Sequence, residues 1–463
     1  MIESKILQKF SRKEKIIWGI TSLGGAMISG VYGALLQYFY QVYLSLGASW
    51  IGLAAILYAI WNAINDPLFG FWSDKTRSLK GRRIPFMKYS APFLGLSFIL
   101  IWLVPTGFDE FGVFIWMLIM MLLYDTFYTI IFLVYSALLP ELSEDENERG
   151  TLQSYASVLQ LVGMVLGLLL PGFLRPGEGQ TSLIPLYIGI TIIGIIGALC
   201  ILFTSYTVKE RPEFTQVDEP LGFIDSIKYT FKSKGFLILT AANFMSIFMQ
   251  QILIGQMFYL ADYVLRMPSE ILFIFVILGL LAGIAVVNIV AGKIGVAKTN
   301  QLFLIIACVP LFSIMVSDGI IIYILLIIAG FGLSGPLVLT NVLYAQVADE
   351  DETKSGVRRE AAFFGVNALF TKPAQSIALG LGAWLLEISG FITPEIGQPI
   401  VLDQPDSVLF AIKILIGLIP GIAVLLGAII LIWYPLKGDY LKTIKEKTLE
   451  MHKEKESKLR QLK

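Results

Sequence analysis

WNAINDPLFGFWSDKTRSLKGRR, residues 61–83, decides the reading of this chain. Its first half continues an apolar helical stretch, yet it carries Asn62, Asn65 and Asp66. Their spacings of three and four put the three polar side chains on one helical face. Its second half, with Lys88 counted, gathers six cations just past the helix end. A carboxylate within a membrane span costs ~2.5–3.5 kcal/mol even on lenient insertion scales. Asp66 therefore faces protein, an ion or water, and not lipid.

The rest of the chain reads as a scaffold around that face. Of its 463 residues, 56% are hydrophobic, too many for a soluble protein of this length. Apolar runs recur throughout, each near the ~20 residues that span a bilayer as a helix. A β-barrel is excluded, because its strands would alternate apolar and polar residues over about ten positions. Twelve spans are predicted, over 16–39, 51–72, 84–104, 112–139, 151–173, 184–206, 236–259, 269–291, 299–316, 319–347, 361–387 and 407–433. The polar stretch 207–235 divides them six and six, giving bundles over 1–206 and 236–434 and a charged tail over 435–463. Two related six-helix bundles are the layout of many secondary transporters. The tail mixes Lys and Glu at helical spacings and reads as a solvated helix.

Placement of charge fixes the orientation. With both termini cytoplasmic, 31 of the 35 Lys and Arg lie on the inner side, and only Arg175 and Arg266 lie outside. The chain is thus expected to be an integral protein of the cell membrane. Met1–Lys15 has no cleavable signal pattern. Cys200 and Cys308 fall inside apolar runs and suggest neither a disulfide nor a metal site. His452 in the tail is the one histidine, so no histidine proton relay is available. No phosphate-binding loop, metal cluster or nucleophile–base pair stands out. Catalysis is not expected, no cofactor is needed, and an ion gradient is left as the energy source.

Three stretches carry a family resemblance: WNAINDPLFGFWSDKTRSLKGRR, YSALLPELSEDENERGTLQSY and ADEDETKSGVRREAAFFGVNALFTK. They resemble, in order and at matching helix positions, the glycoside–pentoside–hexuronide:cation symporters. That branch of the major facilitator superfamily includes the bacterial melibiose permease, with the animal lysophosphatidylcholine symporters as more distant relatives. The resemblance implies an all-α membrane protein of twelve transmembrane helices in two six-helix bundles. It also implies alternating access, a small-molecule substrate and a coupling cation, H+ or Na+. Membrane lipid is the other expected partner, with no nucleic acid, and the chain is expected to be a monomer.

Carried over position by position, the family's cation site falls on Asn62, Asn65, Asp66 and Thr129, with Asn62 in place of an aspartate usual in sodium-coupled members. Lys372 matches a helix-eleven lysine near the cation and substrate sites; here it could also form a structural ion pair to Asp66. Asn367 takes the place of a polar sugar-contacting residue. Mid-helix Asn341 and Asn367 line a cavity or bond helix to helix. Tyr128 and Tyr32 flank a substrate or pack in the core. The sugar-binding acids are missing: the helix-four position is Phe132, and the helix-one region is Gly24–Met27 with no acid. The helix-five arginine and helix-ten tryptophan positions hold Ala156 and Leu337. The substrate is expected to be a glycoside or related solute, with a lysolipid carrier or scramblase as the alternative.

Gating contacts are expected at the cytoplasmic ends, from Asp74, Arg82 and Arg83, from Glu141 and Arg149, and from Asp351, Arg358 and Arg359. Asp125 is a candidate for the missing second carboxylate. It shares a helix face with Thr129 and Phe132, at a depth of ~20 Å against ~22 Å for Asp66, counted at 1.5 Å per residue. Either Asp66 and Asp125 approach and share the coupling ion, or Asp125 is solvated in the outer vestibule. Two carboxylates brought together cannot both ionise cheaply, which would favour a proton, or sodium held also by Thr129.

Overall fold

Local chemistry sets where the helices start and stop. The computed structural model describes residues 10–75, 83–142, 146–176, 180–208, 233–355 and 360–461. The first helix opens on a capping box, in which Ser11 Oγ accepts the Glu14 N–H and the Glu14 carboxylate accepts the Ser11 N–H. That helix, α1 (Arg12–Tyr38), continues as a π-helical turn over Phe39–Tyr43. Next come α2 (Ala48–Lys75), α3 (Ile84–Trp102), α4 (Glu110–Leu142), α5 (Glu146–Leu174) and α6 (Ile184–Thr207). The later part of the chain gives α7 (Lys234–Tyr259, then a π-helical turn Leu260–Leu265), α8 (Ser269–Ile294), α9 (Val296–Ile314) and α10 (Ile320–Ser355). It continues with α11 (Glu360–Ile388), α12 (Asp406–Trp433, with a π-helical turn Ile414–Leu418) and the tail helix α13 (Gly438–Gln461). Gly295 alone joins α8 to α9, at φ +88°, a conformation that L side chains rarely adopt.

Each predicted span thus has its helix. Eleven of the described helices are long and apolar enough to cross a membrane, and α11, with Lys372 and Pro373, is the twelfth by length. Several helices run beyond their apolar limits. α10 continues through ADEDETKS to Ser355, because hydropathy marks only the membrane-facing length while helical hydrogen bonding persists until a breaker intervenes. The π-helical turns had no signature in the residue pattern.

The helices fall into two compact units, of which the first draws on both halves of the sequence and the second on the later half. One combines α1–α6 with Ile254–Phe273 and Leu379–Ile412. Within it α1 packs along α5 and α6, α3 along α4 and α6, and α2 along α4. Small residues permit the close approach: a Cβ on Gly167 would meet the Gly30 Cα at 3.0 Å. The other unit holds the first part of α7, Ile274–Ala378 and the chain from Lys413 on. There α9 packs against α10 and α12, around buried Val287, Phe303 and Leu339.

The tail corrects one expectation. α13 is not solvated all round: it lies against α10, burying Ile444 and Thr448 on one face. The Tyr440 hydroxyl donates to Glu350 Oε1 at 2.7 Å, and Lys354 Nζ donates to the same oxygen at 2.7 Å. Ile444 and Thr448 are four apart, the spacing of a covered helical stripe.

Candidate cation site and substrate wall

Asp125 of α4 is buried at 5% exposure, and α2 supplies its neighbours. The Tyr58 hydroxyl donates to Oδ1 at 3.1 Å, and Asn65 Nδ2 donates to Oδ2 at 2.7 Å. Tyr58, Asn62 and Asn65 are spaced four and three apart, so Asn62 lies between the two donors on the same face. Asn62 is 1% exposed, and neither of its amide atoms has a hydrogen-bond partner. Asn65 Oδ1 and the Tyr32 hydroxyl are buried in the same condition. Thr129 is buried one turn along α4 from Asp125. A second link joins the helices outside this cluster, from Trp61 Nε1 to Thr126 Oγ1 at 3.1 Å.

Leaving a buried polar atom unsatisfied costs about 1–3 kcal/mol. Two amide oxygens in that state beside a buried carboxylate fit a hard cation, which takes oxygen ligands. The set offers one negative charge plus neutral oxygens, enough for a monovalent ion and weak for a divalent one. Asp66 sits one residue past Asn65 and is half-buried, whereas the buried stripe is 58–62–65. The carboxylate at the centre of the buried set is therefore Asp125.

A wall of aromatic rings runs beside this cluster between α1 and α4. Tyr32 stacks on Tyr124 at 4.5 Å between centroids, Tyr124 lies 5.7 Å from Tyr128, and Tyr128 lies 4.4 Å from Phe132. Tyr135 continues it at 6.2 Å from Phe132 and stacks on Trp18 at 4.0 Å. The Tyr135 hydroxyl donates to the Trp18 carbonyl and accepts from Ser22 Oγ, so its polar tip is satisfied. Phe132 seats directly on Gly25, where a Cβ would collide with the ring. The helix-one stretch without an acid and the phenylalanine on helix four therefore pack against one another.

The other predicted substrate residues are spread more widely. Asn367 accepts from Asn243 Nδ2 at 3.2 Å and from the Tyr344 hydroxyl, which also bonds Thr240, so Asn367 ties α7, α10 and α11 together. That is the helix-bonding alternative for this residue. Asn341 and Leu337 are exposed, and Lys372 is half-buried. Among the predicted gating residues, Arg83 is buried and Asp351 half-buried. Asp74, Glu141 and Arg149 fall on α2, α4 and α5, while Arg82, Arg358 and Arg359 lie outside the described residues.

Residue reasoning missed Tyr58, although its position one turn before Asn62 would have revealed it. It also missed a buried ion pair between Arg175 and Asp262. Beside that pair lies an echo in the sequence, Gln37-Tyr38-Phe39-Tyr40 in the first half and Gln256-Met257-Phe258-Tyr259 in the second.

Among the described residues, eleven helices long and apolar enough to cross a membrane, with buried polar and aromatic clusters among them, define an integral membrane protein. The chain belongs to the family described as MFS/sugar transport protein, whose profile matches residues 17–438. It is 26% identical over 478 residues to the sodium-dependent lysophosphatidylcholine symporter 1 of Xenopus tropicalis, covering 94% of this chain and 89% of that protein. It is 24% identical over 424 residues to the putative glycoside/cation symporter YagG of Escherichia coli (strain K12), covering 89% of this chain and 90% of the relative. A crystal structure of the nucleoside transporter NupG superposes with a TM-score of 0.61 at 14% identity, covering 91% of this chain and 100% of that one. The fold is therefore the major facilitator fold, and the chain is a transporter and not an enzyme.

Proposed function

We propose that this protein is a cation-coupled symporter for a single-chain amphiphile of the lysophospholipid class. The observation that carries the reading is Phe132 seated on Gly25 within the aromatic wall. A sugar needs fixed polar groups converging on its hydroxyls, whereas this wall offers ring faces suited to an acyl chain. The relative named as a lysophosphatidylcholine symporter supports the same class. The coupling cation binds between α2 and α4, taken by the Asp125 carboxylate with Asn62, Asn65, Tyr58 and Thr129 in support. Binding there would satisfy the orphaned amide oxygens and fix α2 against α4, a cost recovered only when the ion is present. Asp66 and Lys372, half-buried nearer the cytoplasmic half of their helices, serve ion entry and release. The cycle is alternating access with both termini cytoplasmic.

A glycoside is the second reading, favoured by the relative named as a putative glycoside/cation symporter and by the exposed amide of Asn341. Uptake by proteoliposomes separates the two. A fluorescent lysophosphatidylcholine and a radiolabelled β-glycoside are each offered with an inward sodium gradient, a proton gradient, or neither. Gradient-driven uptake of the lysolipid, absent for the glycoside, is expected. Accumulation of the glycoside alone overturns the amphiphile reading, and lysolipid movement that ignores both gradients overturns the coupling.

A further inference from the structure

The ends of α1, α5 and α7 remote from the chain termini meet in buried polar contacts that the proposed cation site does not use. Arg175, just past α5, and Asp262 of α7 have side chains only 8% and 9% exposed. Arg175 Nη2 donates to Asp262 Oδ1 at 2.6 Å, and Arg175 Nη1 donates to Oδ2. The Tyr38 hydroxyl of α1 donates to that second oxygen as well. The guanidinium also lies 4.7 Å from the centroid of Phe258. One turn inward, Gln256 Nε2 donates to Gln37 Oε1 at 2.8 Å, and the Tyr259 hydroxyl donates to Gln41 Oε1 at 2.8 Å. Gly382 of α11 closes over the Gln37–Gln256 pair, where a Cβ would displace the amide.

Two of the three helices leave α-helical register here, α1 over Phe39–Tyr43 and α7 over Leu260–Leu265. π-helical turns concentrate at functional sites. The two glutamines that bond each other hold the same place in the echoed motif, Gln-x-Phe-Tyr. The contact is thus made by matching residues from the two halves of the sequence.

We propose that Arg175, Asp262 and Tyr38 form a latch that holds this face of the transporter shut, with the Gln37–Gln256 pair behind it. α1 and α5 come from the first half of the chain and α7 from the second, and alternating access parts the halves at each face in turn. A bond from Arg175 to Asp262 has to break when this face opens. Its energetics suit a switch. The charges attract strongly while dry, and hydration of both ions on opening offsets most of that attraction. On the orientation predicted from the cations this is the outer face, and the latch would work on either side and for either substrate.

Spin labels at Thr106→Cys and Ile320→Cys, in a chain with Cys200→Ser and Cys308→Ser, report opening at this end by pulsed dipolar spectroscopy. Arg175→Gln and Asp262→Asn are each expected to shift the population toward the longer separation at least about tenfold, equivalent to ~1.4 kcal/mol. The charge-swapped double variant, Arg175→Asp with Asp262→Arg, should return most of that population. Tyr38→Phe, which removes one hydroxyl from a packed site, should give a smaller shift in the same direction. It serves as the test if the charge variants do not elute as folded protein. Wild-type distance distributions in the folded single variants or in Tyr38→Phe overturn the latch. So does a double variant as open as its parents.

Discussion

Replacing Asp125 by Asn keeps the size of the side chain but removes the carboxylate that Tyr58 and Asn65 both address. Downhill movement of substrate needs no ion and should survive, while accumulation against a gradient should fall at least about tenfold, or ~1.4 kcal/mol. Asp66→Asn is expected to be milder, because Asp66 lies off the buried stripe. Initial uptake rates with and without a sodium or proton gradient measure both. A fully coupled Asp125→Asn protein would remove Asp125 from the site. A second prediction rests on Gly25. An alanine there presses on the Phe132 ring, and overpacking of this kind costs ~1–3 kcal/mol. Gly25→Ala should lower the apparent Tm in detergent, and adding Phe132→Leu should recover more than half of the loss. Additive losses in the double variant would mean that the two residues are not a matched pair.

At the scale of elements, the helices were legible and their meetings were not. A run of twenty apolar residues states its own length, so every predicted span has its helix. Asp125 was legible as a candidate because it shares a face with Thr129, and depth counted from helix rise put it near Asp66. That Asp125 and not Asp66 sits at the centre of the buried set depends on how α2 rotates against α4, which one helix's periodicity does not state. The aromatic wall was hidden for the same reason, since Phe132 and Gly25 lie far apart in sequence. The tail helix is the element most misjudged, because its covered face is short and most of its surface is charged. Deleting residues 438–463 should lower the apparent Tm by exposing the face of α10 that Ile444 and Thr448 cover. The hydrogen bond to Glu350 raises Tyr440 above its ordinary value, and the protonated hydroxyl is the form that holds the contact. The contact is therefore fully present below the usual tyrosine value of ~10 and is lost only as pH rises beyond it. Tryptic cleavage at Lys442 and Lys445 should stay slow from neutral pH to about 9. Tyr440→Phe should speed it throughout that range, and equal rates in both proteins would discard the contact.

For the whole molecule, the decisive asymmetry is that of charge. Twelve spans are an even number, which predicts both termini on one side of the membrane, and the split of 31 cations against two predicts that this side is cytoplasmic. The alternative orientation would translocate the basic loop after α2, the central stretch 207–235 and the tail together, against the bias that each one carries. An epitope tag after Lys463 should be unreachable by antibody in sealed cells and reachable after permeabilisation. A tag at Gln398, in the long connection between α11 and α12, should be reachable in both. Were the tail tag reachable in sealed cells and the Gln398 tag not, the whole chain would be inverted, and the Arg175–Asp262 contact would lie on the cytoplasmic face. Were both reachable in sealed cells, one of the twelve helices would not cross. α11 would be the first to test, since Lys372 and Pro373 interrupt it and it is not among the eleven described helices long and apolar enough to cross a membrane.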